Sequence, residues 1–290
     1  MFDIRLLFVA VAWGVNFSVV KYALAEFEPL AFTLVRFTLA GVFLLAVMRV
    51  GNTPFAIDRK DRFSVAMLGL TGIALYNIFF MYGLRFTSAS NSALLISLSP
   101  LAGALFQSAA GKEKITIRMC AGLCLATAGV VMIIRSHHHA FTLSSASIKG
   151  DLLTLCATFA WALYTIRAKP LLGKYPSLTI TAYSMLGGSI MLLPAGMPEL
   201  INQRWSAVST ASWTALAFSV FIAGGLAYVF WYDGVKRIGV TRTMAYHYLM
   251  PFAAVLFSAL ALKENVTPLQ IAGGAAILTG VYLVQKKSTP

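Results

Sequence analysis

Ten apolar runs dominate this chain, and their length restricts the fold more than any other feature. A helix needs about 20 predominantly apolar residues to cross a bilayer. In lipid every backbone polar group must be satisfied within the structure, and these runs are too long and too uniformly apolar for barrel strands. The sequence therefore predicts an all-α membrane protein with ten transmembrane helices, at residues 5–25, 30–50, 64–85, 89–110, 116–135, 149–169, 177–197, 212–236, 241–262 and 268–286.

The composition leads to the same class of protein. The chain is 59% hydrophobic and only 11% charged, whereas soluble domains carry about 25% charged residues. Its formal net charge is +13, but the basic residues stand in short segments between apolar runs, as in membrane proteins and not as in nucleic-acid surfaces. The expected partners are therefore the lipid bilayer and a small molecule, with no nucleic acid. The three cysteines lie inside apolar runs and are expected to be buried packing residues.

The chain also repeats itself. At an offset of 151 residues it aligns with itself without a gap over a stretch of about 50 residues, which places Pro100 on Pro251. An offset of 148 residues places Trp13 on Trp161. The other matched positions are Gly83 with Gly234, Gly122 with Gly273, Gly129 with Gly280, and Lys112-Glu113 with Lys263-Glu264. The pattern indicates duplication of one structural unit.

The basic residues predict the orientation of the helices. With the N-terminus in the cytoplasm, the inner segments hold sixteen Lys and Arg residues and the outer segments five, so both termini are predicted to be cytoplasmic in a cell (inner) membrane protein. Each half, 1–140 and 148–290, contains five spans. Because five is odd, the second half enters from the opposite side, and the two repeats are inverted. Secondary transporters with inverted repeats bind their substrate between the halves, near the midplane.

Several motifs carry a resemblance to a known family. They are Trp13-Gly14-Val15-Asn16-Phe17, the Tyr82-Gly83-Leu84 turn, Ser99-Pro100, Met250-Pro251, and the glycine pairs Gly122/Gly129 and Gly273/Gly280. Over residues 5–286 the chain resembles the EamA-like branch of the drug/metabolite transporter superfamily. The resemblance implies ten spans, a central cavity lined mainly by spans 1, 3, 4, 6, 8 and 9, and a structural role for spans 5 and 10. It also implies export of amino acids, other small metabolites or xenobiotics.

Polar and aromatic side chains inside the predicted spans are the candidates for that cavity, because buried Asn and Tyr need hydrogen-bond partners in lipid. Trp13 and Asn16 share a face of span 1, and Trp161 and Tyr164 repeat this spacing on span 6. For each residue the alternative is ordinary packing or a hydrogen bond between helices. The predicted cavity residues are Trp13, Asn16, Tyr76, Asn77, Phe80, Asn91, Trp161, Tyr164, Tyr228, Trp231, Tyr246 and His247.

Arg36 is the sharpest single candidate. It lies about two turns into span 2, where an arginine is costly and usually functional, so it is a candidate contact for a substrate carboxylate. The alternative is an arginine that extends toward the outer surface and pairs with Glu26 or Glu28.

His247 and two prolines are candidates for coupling and gating. His247 is the ionisable group deep in a span whose ordinary pKa suits proton coupling; the alternative is a neutral histidine bonded to a neighbouring helix. Pro100 and Pro251 allow kinks in spans 4 and 9, which makes them candidate gates. Asp233 is expected to form a local ion pair with Lys236 and Arg237 at a helix end.

Motifs for chemistry are missing from the sequence. It contains no phosphate-binding loop, no HExxH, no nucleophile elbow and no metal-ligand spacing, so it predicts neither an enzyme nor a cofactor or metal. The predicted function is secondary transport by alternating access, most readily export of amino acids or similar small amphiphiles. The alternatives are a non-transporting scaffold or receptor, and a membrane-embedded enzyme. The sequence does not indicate which substrate is carried or in which direction. It also leaves open whether transport is proton exchange or facilitated diffusion, and whether the protein forms a homodimer.

Overall fold

A computed structural model describes residues 2–87, 89–136, 145–261 and 267–286, without the side chains of residues 84, 85, 89–91, 145–147, 254 and 257–261. The regular structure in these ranges is helical. In chain order the helices are α1 (Ile4–Ala23), α2 (Pro29–Val50), α3 (59–86), α4 (89–109), α5 (Ile117–Arg135), α6 (Ser145–Leu172), α7 (Ser177–Asn202), α8 (Thr210–Ile238), α9 (240–261) and α10 (Pro268–Gln285), with a short 3-10 turn at Trp205–Ala207 between α7 and α8.

Within the described part of the chain, eight helices are long and apolar enough to cross a bilayer. They are α1, α2, α3, α4, α5, α7, α8 and α10. The all-helical class is confirmed, while spans at α6 and α9 stay predictions. α6 carries charged residues near both ends, Lys149 and Asp151 at one and Arg167 and Lys169 at the other, and α9 is interrupted by a 3-10 turn.

Two helices contain a π-helical segment, in which each N–H bonds five residues back. The segments lie in the middle of α3 and α8, and they occupy matching positions under the 151-residue offset of the sequence repeat. In order, α3 consists of Arg59–Leu68, the π segment Gly69–Leu75 and Tyr76–Phe86, and α8 consists of Thr210–Phe218, the π segment Ser219–Leu226 and Ala227–Ile238. A π segment places extra backbone carbonyls where side chains of other helices can reach them.

Helices α4 and α9 are both interrupted next to Pro100 and Pro251, the two prolines predicted to allow kinks. α4 consists of Ala89–Ser97 and Ser99–Ala109, so that Pro100 stands in the first turn of the second part, where its missing N–H leaves no bond unmade. In α9, the 3-10 turn Tyr246–Tyr248 separates Val240–Ala245 from Leu249–Ala261, which contains Pro251. Both predicted interruptions are present, and their use as gates stays a prediction.

Helices α5 and α10 pack against each other through glycines. A Cβ added to Gly122 would lie 2.6 Å from the carbonyl oxygen of Gly280, and one added to Gly129 would lie 2.5 Å from that of Gly273. The backbones therefore touch where side chains would otherwise separate them, as at close helix crossings in membranes. This confirms the interpretation of the two glycine pairs as packing residues.

Two sequence-based expectations are wrong. Cys120, Cys124 and Cys156 are exposed rather than buried; they lie on the apolar outer surfaces of their helices, and a thiol is tolerated there because it behaves as a small apolar group. The expected local pairing of Asp233 is also wrong.

Asp233 and its neighbour Arg237 form ion pairs with the start of α1. Arg5 Nη1 lies 3.1 Å from Asp233 Oδ2, and Arg237 Nη2 lies 2.8 Å from Asp3 Oδ2. The ion pairs cross between helices because the end of α8 lies beside the start of α1. Within α8, Arg237 only donates a hydrogen bond to the carbonyl of Asp233. The two pairs hold the ends of α1 and α8 together.

Candidate functional site

Aromatic rings from five helices meet in the interior of the bundle. The aromatic cluster consists of Trp13 on α1, Tyr76 on α3, Trp161 and Tyr164 on α6, Tyr228 and Trp231 on α8, and His247 on α9. Its centre is Trp161, whose ring centroid lies 5.5 Å from that of Trp13 and 5.8 Å from that of Trp231. Every other member of the cluster packs against this ring. The rings contact each other directly, so the cluster is closed around its own side chains in this conformation.

The π segment of α8 holds α1 against the cluster. The indole Nε1 of Trp13 donates to the carbonyl of Ala223 at 2.8 Å, and the hydroxyl of Ser219 donates to Asn16 Oδ1 at 2.6 Å. Trp13 and Asn16 are three residues apart and so share a face of α1. Their shared face was predicted, and the structure shows that it meets the irregular turn of α8.

His247 stacks against two indole rings that also contact each other. Its ring centroid lies 4.7 Å from that of Trp231 and 5.3 Å from that of Trp161, with interplanar angles of 29° and 21°. Its Nδ1 lies 3.1 Å from Ser99 Oγ on α4. This bond to a neighbouring helix is the arrangement expected of a structural, neutral histidine, and His247 forms no ion pair in the described part of the chain.

Arg36 lies at the edge of the aromatic cluster. Its Nε donates to the carbonyl of Ser219 at 3.2 Å, and its Cζ lies 4.8 Å from the ring centroid of Phe37. Among the described residues its terminal nitrogens make no hydrogen bond and no ion pair. A guanidinium with a free fork suits a carboxylate, which it binds in a bidentate manner.

The alternative partner of Arg36 is engaged elsewhere. The carboxylate of Glu26 accepts a hydrogen bond from Ser209 N at 2.7 Å, and this backbone bond lowers the pKa of Glu26 below its ordinary value. Pairing of Arg36 with Glu26 or Glu28 is therefore wrong for this conformation, because α2 turns Arg36 toward α8 and the interior.

The other predicted cavity residues divide into two groups. Phe80 joins the cluster from outside, since its ring lies parallel to Tyr76 at 6.0 Å. Asn77 instead donates to the carbonyl of Ile73 in its own helix at 2.7 Å, and the hydroxyl of Tyr246 accepts from Asp3 N at 2.7 Å, at the start of α1. The side chain of Asn91 lies outside the described residues.

Some contributors were not predicted. The ring centroid of Phe37 lies 5.8 Å from that of Tyr228. Ser219 accepts a hydrogen bond from Arg36 through its carbonyl and donates one to Asn16 through its hydroxyl. Arg36 gave no signal for Phe37, because adjacent residues on a helix do not share a face. Nothing in the apolar run around Ser219 marks it, because its role depends on the π turn.

Three polar atoms inside the aromatic cluster have no hydrogen-bond partner among the described residues. They are Trp161 Nε1, the hydroxyl of Tyr164 and His247 Nε2, all buried. Buried polar groups nearly always find partners, so each exception calls for an explanation. Together with the free fork of Arg36, they give the cluster hydrogen-bonding capacity that the fold does not use.

Comparison with known proteins identifies a family. The sequence model of the EamA-like transporter family matches residues 2–135 and again residues 148–285. A protein named uncharacterized transporter from Archaeoglobus fulgidus is 30% identical over 95% of this chain and 94% of its own length. The uncharacterized transporter YyaM of Bacillus subtilis is 29% identical over 96% of this chain and 91% of its own length.

Another relative has a named substrate, and a solved structure shares the fold. The probable terminal-alkyne amino-acid exporter of Streptantibioticus cattleyicolor is 27% identical over 98% of this chain and 93% of its own length. A crystal structure superimposes with a TM-score of 0.85 over 97% of this chain and 94% of that chain, at 18% identity. At that identity the likeness shows the fold alone.

Proposed function

The chain belongs to the EamA-like transporter family, and we propose that it is a secondary transporter that exports amino acids or closely similar small amphiphiles across the cell membrane by alternating access. It is a multi-pass membrane transporter whose named relatives are transporters, not enzymes. The observation that carries the substrate class is the guanidinium of Arg36 at the edge of the aromatic cluster, whose terminal nitrogens make no hydrogen bond and no ion pair among the described residues. One relative is named as a probable amino-acid exporter.

The site suits a zwitterion with an apolar side chain. The free fork of Arg36 binds the carboxylate, and Tyr76 and Tyr228 of the aromatic cluster offer hydroxyl donors to the substrate. The faces of Trp13 and Trp161 attract the ammonium group and pack against an apolar side chain. The substrate enters when the helices separate enough to part the rings, which are in contact in this conformation.

The proposed architecture is ten spans in two inverted repeats, 1–140 and 148–290, with both termini in the cytoplasm. The double match of the family model supports the division, and so does the recurrence of a π segment at matching positions in α3 and α8. It adds α6 and α9 to the eight candidate spans. The excess of basic residues in the inner segments supports the orientation. The site then lies between the repeats, close to the bilayer midplane.

The test is flux from liposomes that contain the purified protein. The liposomes are loaded with a labelled mixture of amino acids and small metabolites, and release is followed with and without a pH gradient. We expect release of a subset of amino acids above that from empty liposomes. No release of any compound, from protein shown to be folded and inserted, would favour a scaffold or receptor.

The role of Arg36 is tested with Arg36→Gln and a control on the same helix. Arg49, in the exposed last turn of α2, provides the control Arg49→Gln. Loss of a hydrogen bond to a charged group costs about 1.5–3 kcal/mol, so Arg36→Gln is expected to lower kcat/KM for carboxylate substrates roughly 10- to 150-fold. Amine analogues without a carboxylate should lose much less. Equal effects of the two variants would exclude the carboxylate contact.

A further inference from the structure

Gln107 on α4 is a buried amide without a partner among the described residues. It is 1% exposed, and in the part of the chain that the structure describes neither Oε1 nor Nε2 has a hydrogen-bond partner. A primary amide offers two donors and two acceptor lone pairs, and leaving such groups unpaired in the interior is unfavourable. The mechanism outlined above does not use this residue.

The position of Gln107 follows from the packing of α4 on α9. Ser99, Gly103 and Gln107 are spaced four residues apart and so lie along one face of α4. Ser99 Oγ contacts His247 of the aromatic cluster, and a Cβ added to Gly103 would overlap the sulfur of Met244, one turn earlier in α9. The two helices are therefore antiparallel along this face. Gln107 lies eight residues beyond Ser99, about 12 Å farther from the aromatic cluster along the helix axis.

A polar contact closes the far end of this seam between α4 and α9. The carboxylate of Glu113 accepts hydrogen bonds from the hydroxyl of Thr241 at 2.9 Å and from its backbone N at 3.4 Å. The turn that carries Glu113 is fixed to Gln107 itself, whose backbone carbonyl accepts from Lys112 N and Glu113 N at 3.0 and 3.3 Å. Gln107 thus lies between the aromatic cluster and the Glu113–Thr241 contact.

An apolar residue at this position would suit the closed fold better. The amide makes no hydrogen bond to any described residue of the helices around it, so it does not hold those residues together. Its acceptor oxygen suits an ammonium group, and its donor nitrogen suits a carboxylate. A zwitterion that moves along the seam would satisfy both.

We propose that Gln107 is a second polar contact for the substrate, on the passage that leads from the aromatic cluster along the α4–α9 seam to the Glu113–Thr241 contact. The passage opens when Glu113 releases the start of α9, and Gln107 then binds the charged end of the amino acid. This inference rests on the proposed function, because it assigns a residue to the route of the same substrate.

The test compares two buried glutamines, one without hydrogen-bond partners among the described residues and one with them. Methionine has nearly the length of glutamine without its polar atoms, so Gln107→Met removes only the unpaired amide. The matched control is Gln203→Met, since Gln203 is 7% exposed and bonds both Glu28 N at 2.7 Å and the carbonyl of Glu26 at 3.0 Å. Thermal unfolding in detergent and amino-acid flux in liposomes are measured for both variants.

We expect the two variants to have opposite effects on melting temperature and on flux. Gln107→Met should raise the melting temperature by about 2–4 °C while it lowers kcat/KM for amino acids at least tenfold, and Gln107→Asn, which keeps the amide, should restore part of the flux. Gln203→Met should lower the melting temperature and leave KM unchanged. A lower melting temperature or wild-type flux for Gln107→Met would overturn the inference while the proposed function stands. An absence of flux in the wild type would overturn the proposed function and the inference with it.

Discussion

Substitution of Gly129 by alanine tests the packing of α5 on α10. An added Cβ would lie 2.5 Å from the carbonyl oxygen of Gly273 and 2.9 Å from the backbone N of Ile277. Ordinary contacts begin at 3.4 Å, so the oxygen is approached about 0.9 Å too closely. Both close atoms belong to the backbone of α10, which cannot rotate away as a side chain can.

The change in stability expected for Gly129→Ala follows from two opposing effects. Overpacking a close contact costs about 1–3 kcal/mol, while alanine is up to about 1 kcal/mol more favourable than glycine in a helix interior. A net destabilisation of about 1–2 kcal/mol lowers the melting temperature of a chain of this size by roughly 2–8 °C. Because α5 and α10 contribute no residue to the aromatic cluster, KM should not change.

The control is Gly187→Ala in α7, where an added Cβ meets nothing within 4 Å. At this position only the higher helix preference of alanine acts, so the melting temperature of Gly187→Ala should equal or exceed that of the wild type. Tryptophan fluorescence during heating in detergent reports both variants. If Gly129→Ala melts at or above Gly187→Ala, the glycine contact does not hold these helices at the distance described.

Three further outcomes are expected. Asp3→Lys places a positive charge beside Arg237 and should speed opening between α1 and α8. Arg237→Glu in the same chain should slow it again in part, by a coupling of roughly 0.5–1 kcal/mol, since Asp3 also caps α1 and that contact stays lost. A double variant as fast as Asp3→Lys would show that the ion pair does not hold the two helix ends together. Flux should not respond to an imposed pH gradient, either in the wild type or in His247→Gln, because His247 has no ion-pair partner among the described residues. A response that is present in the wild type and lost in His247→Gln would establish proton coupling instead. Trp13→Phe removes the donor to the carbonyl of Ala223 and should destabilise the protein by about 1 kcal/mol; an unchanged melting temperature would show that the bond contributes nothing.

Much of the fold was accessible from the sequence because it depends on period and composition. Apolar runs predicted the helices, and the 151-residue self-match predicted where interruptions recur, since Pro100 and Pro251 stand beside breaks in α4 and α9. Paired glycines predicted the contact of α5 with α10 because close approach requires a missing side chain. The convergence of Trp13 with Trp161 followed from the repeat, which placed equivalent side chains on facing helices.

Other features depend on partners that no local pattern reveals. Asn77 was grouped with the cavity because its residue type is polar, but a carbonyl of its own helix satisfies it. Tyr246 and His247 are adjacent, yet the 3-10 turn directs one to the start of α1 and the other to the aromatic cluster. The π segments were not foreseen either, because apolar residues and glycines fit a regular helix equally well.

The π segments of α3 and α8 make chain length, in addition to residue type, a constraint within the membrane. A π turn accommodates one residue more than an α turn, so deletion of one residue from Ser219–Leu226 would allow a regular helix. Because the wide turn absorbs the extra residue, Tyr228 and Trp231 beyond the deletion would still face the aromatic cluster. The carbonyls of Ser219 and Ala223 would instead return to the regular hydrogen bonds of α8, and Arg36 and Trp13 would lose their acceptors.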